Sequence, residues 1–232
     1  MKKLKKSCDT DRCTLCKLCL PGWRAAIKVH HKNFTYRRGE MLFKEGEKLE
    51  GIYYIHEGQA KIHKKWGEDK ELIMRFASDG EIVGHRGLGL DPIYPVSATA
   101  LTPLTACFFP MDFFMDSIEA NHAFATDLLW FFAAELKRTE LRMHRIMVLP
   151  VKNRLANTLQ RLQEKFGVDE NGYINLQVTK TDIASFCGVT YETIFRTLQE
   201  MESEGLIELD AKNIRLKNPE GLQLLSAEKG TP

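Results

Sequence analysis

Between residues 34 and 110 the apolar positions fall in short, partly alternating runs broken by glycine. Gly51-Ile52-Tyr53-Tyr54-Ile55, Ala60-Lys61-Ile62-His63-Lys64, Leu72-Ile73-Met74-Arg75-Phe76 and Thr105-Ala106-Cys107-Phe108-Phe109 read as strands. Turn signals at Arg38-Gly39, Glu45-Gly46, Glu57-Gly58, Asp79-Gly80 and Asp91-Pro92 separate them. Strands at this spacing predict an antiparallel sandwich or barrel. From about Asn121 the period becomes helical. Leu129, Leu136 and Met143 are seven apart, with Phe132, Thr139 and Ile146 between them. Alternating steps of three and four make the seam of a two-stranded helix pair. Thr139 is its weak point, and a core helix of the same domain is the competing reading. Pro150 ends the pattern. Asn153 to Phe166 is a second amphipathic helix, stopped by Gly167 before an Asn171-Gly172 turn. Leu206 to Leu209 and Asn213 to Leu216 predict a hairpin. Residues 1–20 show neither period, and His30-His31 reads as solvated loop.

Residues 179–207 predict two helices joined by a tight turn. Thr179 with Asp182 three residues on is a capping-box start, Asp replacing the usual Glu. Ile183, Ala184 and Phe186 give the first helix an inward face, and Ala184 leaves room for a close crossing. Gly188 suits a turn of positive φ. Thr190 offers an N-cap to the second helix. Ile194, Leu198 and Met201 point inward, leaving Tyr191, Glu192, Phe195, Arg196 and Gln199 outside. In a DNA major groove a carboxylate accepts from cytosine N4, and arginine donates twice to guanine O6 and N7. The bland alternative for Glu192 and Arg196 is a surface i,i+4 ion pair of a few tenths of a kcal/mol. The caps, Ala184, Gly188 and the following hairpin favour the DNA reading. An exposed Phe195 is hard to explain on a solvated face and could meet a thymine methyl.

The chain has 232 residues, 44% of them hydrophobic, enough for one large domain or two modest ones. No apolar run approaches the roughly 20 residues of a membrane span. The opening MKKLKK lacks the apolar stretch of a signal peptide, so a cytoplasmic protein without membrane association is expected. Net charge is +2 overall. Residues 150–232 hold ten Lys and Arg against twelve Asp and Glu, a net of −2, so bulk charge does not mark a DNA binder. Local cations are candidates instead: Lys180, Arg196, Lys212, Arg215 and Lys217, with Lys152, Arg154 and Arg161 upstream. The sequence contains no Walker loop, nucleophile elbow or HExxH motif, which argues against an enzyme. A stand-alone binding module fits poorly with the helix pair and hairpin.

From Arg37 onward the chain resembles the CRP/FNR family of bacterial transcription regulators. The resemblance rests on Arg38-Gly39-Glu40-Met41-Leu42-Phe43-Lys44-Glu45-Gly46, on Gly80-Glu81-Ile82-Val83-Gly84 and on Tyr191-Glu192-Thr193-Ile194-Phe195-Arg196. It implies an α+β fold: a 1–20 cysteine-rich arm, a 21–120 antiparallel β-roll (a cyclic-nucleotide-binding-like jelly roll), a 121–149 dimerisation helix and a 150–232 winged helix-turn-helix. It also implies a homodimer on double-stranded DNA, a palindromic operator with TGA-like half-sites, and RNA polymerase as a partner. The family's recognition-helix Glu and Arg fall on Glu192 and Arg196. Thr179, Lys180, Thr190, Tyr191, Phe195 and Lys212 complete the expected DNA-binding set. Family members often carry a small residue where this chain has Phe195.

Cyclic-nucleotide binders of that family keep a glutamate after the Gly-Glu-x-x-Gly turn and an Arg-Ser pair downstream. Here the first region reads Gly84-His85-Arg86-Gly87, and Val96 precedes Ser97 where arginine would stand. Losing a charge-assisted phosphate contact costs about 1.5–3 kcal/mol, so cAMP is disfavoured. Gly80, Glu81, Gly84, His85, Arg86 and Ser97 remain the candidate effector residues. Six cysteines in a reducing compartment point to metal or redox chemistry. Cys13-x2-Cys16-x2-Cys19-Leu20-Pro21, with Cys8 upstream, has the spacing of loops that wrap a [4Fe–4S] cubane. The family's oxygen-sensing branch uses N-terminal cysteines and one central cysteine, a place that Cys107 fills here. The fourth ligand is left between Cys8 and Cys107. Zinc on Cys8, Cys13, Cys16 and Cys19, thiol redox chemistry, haem, or no cofactor are the alternatives.

Overall fold

The computed structural model describes residues 2–4, 16, 19–67 and 70–226. The chain divides into two compact units, Met1–Leu136 and Lys137–Pro232.

The first unit is built on two antiparallel sheets. One has the order β1 (Lys2–Leu4), β2 (Lys32–Tyr36), β9 (Leu104–Pro110), β4 (Gly51–Glu57) and β7 (Ile82–Val83). The other runs β3 (Met41–Phe43), β8 (Ser97–Ala100), β5 (Ala60–Trp66) and β6 (Lys70–Ala77). Inward residues of both sheets form one core that includes Phe43, Ile52, Ile55, Ile62, Ala98 and Phe109. Central β4 is buried at five successive positions, which explains its unbroken apolar run. Gly51 is fixed by close approach: a Cβ there would lie 2.2 Å from the Phe109 carbonyl oxygen and 2.5 Å from the Phe108 ring. The sequence-level strands all form, most of them a residue or two longer than the apolar runs that signalled them.

Two expectations change. The amino-terminal stretch does contain a strand, β1, paired antiparallel with β2. His30 is not loop; it ends α1 (Trp23–His30), its ring stacked 4.6 Å from Phe113. His31 caps the same helix, its Nδ1 lying 2.9 Å from the Ile27 carbonyl.

Two helices follow the sheets, α2 (Met111–Ala120) and α3 (His122–Val148). The boundary between the units falls inside α3. Buried Asn121 separates the two helices, donating to the Ser117 carbonyl at 2.8 Å and accepting the Leu20 N–H at 2.7 Å. Trp23 Nε1 donates to Ser117 Oγ at 2.9 Å. These bonds moor the segment after Cys19 to the start of the long helix. Along α3, Leu129, Leu136 and Met143 are each more than 60% exposed. Phe132 leaves that row, its ring 5.7 Å from His85.

The second unit carries α4 (Val151–Phe166), α5 (Lys180–Cys187), α6 (Tyr191–Ser203), the hairpin β10 (Ile207–Asp210) and β11 (Asn213–Leu216), and α7 (Pro219–Ser226). Leu155, Leu159, Ile183, Ala184, Ile194, Leu198, Met201, Ile214 and Leu222 fill its core.

Candidate nucleic-acid interface

The α5–α6 pair is fixed by local chemistry. Thr179 Oγ1 accepts the Asp182 N–H at 3.0 Å, and Asp182 Oδ2 accepts the Thr179 N–H at 2.8 Å. The same hydroxyl donates to Asp182 Oδ2 at 2.7 Å. Thr179, expected on DNA, therefore has its side chain engaged in starting a helix. Gly188 ends α5 at φ 67 and ψ 42, a left-handed conformation costly for other residues. Thr190 Oγ1 then accepts the Thr193 N–H at 3.3 Å, opening α6.

The inward face of α5 differs from expectation at one position. Cys187 is buried beside Ile183 and Ala184, whereas Phe186 is half-buried under the Arg142 guanidinium at 4.4 Å. Cys187 Sγ lies 3.6 Å from Thr158 Oγ1, and burial raises its thiol pKa. On α6, Ile194, Leu198 and Met201 are fully buried, joined by Thr197, whose hydroxyl donates to the Thr193 carbonyl. Tyr191, Glu192, Phe195, Arg196 and Gln199 are exposed. Among the described residues no carboxylate or other acceptor partners the Arg196 guanidinium. The surface ion pair with Glu192 does not form. Lys180 projects across α6, its Nζ 5.3 Å from the Phe195 ring centroid.

Several of the local cations are engaged elsewhere. Lys152 pairs with Glu200 at 2.9 Å and Glu204 at 2.6 Å, which raises its pKa. Arg154 donates to the Cys187 carbonyl. Burial lowers the Arg161 pKa. Arg215 and Lys217 both meet Glu208, at 3.1 and 3.3 Å. Lys212 stands at the hairpin turn beside Ala211, a non-glycine residue with φ 50, and donates to Gln177 Oε1 at 2.9 Å. The positive charge left for a ligand is centred on Lys180, Arg196 and Lys212.

In the first unit the candidate effector residues each take up contacts within the fold. Glu81 accepts the Ser78 N–H in a turn, and Ser97 Oγ accepts the Glu45 N–H. Gly80 and Gly84 hold positive-φ turn positions. His85 is buried against the edges of Phe131 and Phe132. Burial, then the positive fields of Arg75 and Arg86, push its pKa down to about 3. Arg86 and Arg75 approach Glu135 of α3 at 3.5 and 3.6 Å. Val96 is buried. Glu135 went unnoticed in the sequence, although a carboxylate three residues after Phe132 on an apolar helix face was a usable signal.

Cys16, Cys19 and Cys107 all lie buried in the core of the first unit. Cys8 and Cys13 lie outside the described residues. Among the described residues no three His, Cys, Asp or Glu side chains are grouped as a metal ion requires. No helix among them is long and apolar enough to cross a membrane.

Comparison with known proteins agrees with this division. A model of the cyclic nucleotide-binding domain matches residues 33–121, and a model of the Crp-like helix-turn-helix domain matches residues 153–225. The chain is 25% identical over 204 residues to a CRP-like cAMP-activated global transcriptional regulator of Mycobacterium tuberculosis, covering 87% of this chain and 91% of the relative. It is 27% identical over 172 residues to an anaerobic regulatory protein of Bacillus subtilis, covering 73% and 72%. The solved structure of FixK2 from Bradyrhizobium japonicum shares the fold, with a TM-score of 0.76 at 23% identity over 86% of this chain and 99% of that one. The mycobacterial and Bacillus relatives are regulators by name, not enzymes. With a β-roll joined by a long helix to a capped helix pair and wing, the chain belongs to the CRP/FNR family of DNA-binding transcription regulators.

Proposed function

We propose that this regulator is a redox- or oxygen-responsive dimer, controlled by a cysteine-bound [4Fe–4S] cluster and reading a palindromic operator through Glu192 and Arg196. The observation that carries the sensor reading is the anchoring of the cysteine run. Cys16 and Cys19 are packed in the β-roll core, and the next N–H, that of Leu20, is held by Asn121 at the threshold of α3. Buried thiols suit a cluster that must be kept from water. The ligands of such a cluster would be Cys13, Cys16 and Cys19 with Cys8 or Cys107 as the fourth, and the absence of three grouped ligand side chains among the described residues favours Cys8. When bound, the cluster supplies an oxidation-labile cross-link between these thiols. The chain's own part is mechanical. Asn121 ties the arm to α3, and the exposed Leu129, Leu136 and Met143 row offers the dimer seam. A dimer formed there presents two α6 helices to half-sites about one DNA turn apart, ~34 Å.

A cyclic-nucleotide reading is favoured only by the match to that domain and by the name of the mycobacterial relative. Buried Val96, and the engagement of Arg86 with Glu135, weigh against that reading. The test is anaerobic purification with iron and sulfide counts and operator binding before and after air. About four irons and four sulfides per chain, bleached by air together with loss of DNA affinity, are expected. A colourless, iron-free protein from anaerobic cells that still binds its operator would refute the sensor reading.

A further inference from the structure

Base-edge hydrogen bonding leaves the exposed aromatic rings of α6 without a role. Tyr191 and Phe195 are 45% and 37% exposed, and their rings stack at 6.0 Å with an interplanar angle of 21°. An i,i+4 aromatic pair supports an isolated helix only weakly. This helix is already held by the Thr190 cap and by buried Ile194, Leu198 and Met201. Both rings lie in its first two turns, the part of a recognition helix that meets base edges. Lys180 adds an ammonium over the outer aromatic, and Arg196 follows it directly. The rings thus form an apolar ledge bordered by cations. A polar groove floored by phosphate-flanked bases offers such a ledge one apolar partner, the thymine C5-methyl group.

We propose that the Tyr191–Phe195 ledge reads a thymine methyl in the major groove, next to the bases met by Glu192 and Arg196. The proposal rests on the recognition-helix reading of α6. Phe195 is the specificity-determining residue. Tyr191 holds its ring in place by stacking, and the Lys180 ammonium, 5.3 Å from the ring centroid, supplies charge for the backbone phosphates. Burying one methyl corresponds to about a fourfold change in affinity per half-site, or roughly 15-fold over a two-fold operator.

The test uses the intact chain and an operator selected by it from random duplexes. Each thymine is replaced in turn by deoxyuridine, which removes the methyl and keeps every hydrogen-bonding group. One symmetric pair of thymines should show the roughly 15-fold loss, while the other positions stay level. In Phe195→Ala that sensitivity should vanish and the preference for guanine at the Arg196 position should persist. Phe195 lies outside the buried Ile194–Leu198–Met201 face of α6, so the variant should still fold, with a modest loss of melting temperature from the lost ring contacts. The scan on the unaltered protein tests the proposal without any variant. Level affinities across that scan, or a sensitivity that survives in Phe195→Ala, would overturn the ledge and leave the guanine contact standing. Indifference to guanine as well would overturn the recognition-helix assignment, and the ledge with it.

Discussion

His85 couples the stability of the first unit to pH. It is 3% exposed, and burial with two nearby guanidinium groups lowers its pKa from 6.5 to about 3. The unfolded chain therefore binds a proton on this ring below about pH 6.5, whereas the folded chain refuses it until about pH 3. Stability from neutral His85 is complete above pH 6.5 and is lost as pH falls toward 3. At pH 5 the gap is one and a half pH units below the unfolded value, worth about 2 kcal/mol. Urea unfolding followed by tryptophan fluorescence at pH 7.5 and pH 5 measures it, at fixed protein concentration. The wild type should lose about 2 kcal/mol more than His85→Leu over that interval. Equal losses in the two proteins would refute the assignment of the buried imidazole, whatever their absolute stabilities.

Other outcomes follow from single contacts. Thr179→Ala removes a cap and one donor to a buried carboxylate, so it should cost about 2 kcal/mol and lower the melting temperature of the second unit by about 10 °C in calorimetry. Glu71, held to about pKa 2 chiefly by its hydrogen bond from His63, should hold the β5–β6 hairpin down to about pH 4.5 and release it as pH falls toward 2. Amide exchange across that hairpin reads the change, and Glu71→Gln should flatten it. Asn121→Ala breaks two buried hydrogen bonds and should destabilise the first unit by about 2 kcal/mol. It should also lower operator affinity without lowering bound iron, which separates coupling from cluster assembly.

The helix pair was legible because each signal is local. A threonine, an aspartate three residues later and a glycine at the turn specify caps without help from the rest of the fold. The β-roll was legible for a related reason, since glycine turns and apolar runs repeat at strand spacing. What stayed hidden depends on contacts distant in sequence. Glu135 meets Arg75 and Arg86, 60 and 49 residues away by number, and no periodicity announces that. Phe186 fits an apolar face by its spacing, yet it is half-buried with the Arg142 guanidinium over its ring, a contact 44 residues away by number. The cations Lys152, Arg215 and Lys217 looked available for phosphate, yet carboxylates brought close by the fold claim them. His30 read as loop because its partner, Phe113, lies far along the chain.

Sequence-specific reading by Arg196 is measured by a binding cycle. Wild type and Arg196→Ala are each titrated with the selected operator and with one carrying A·T at the guanine assigned to Arg196. The wild type should discriminate between the duplexes by about 1–3 kcal/mol per contact, and Arg196→Ala should bind both alike. An Arg196→Ala protein that keeps the affinity and the guanine preference of the wild type would contradict this reading.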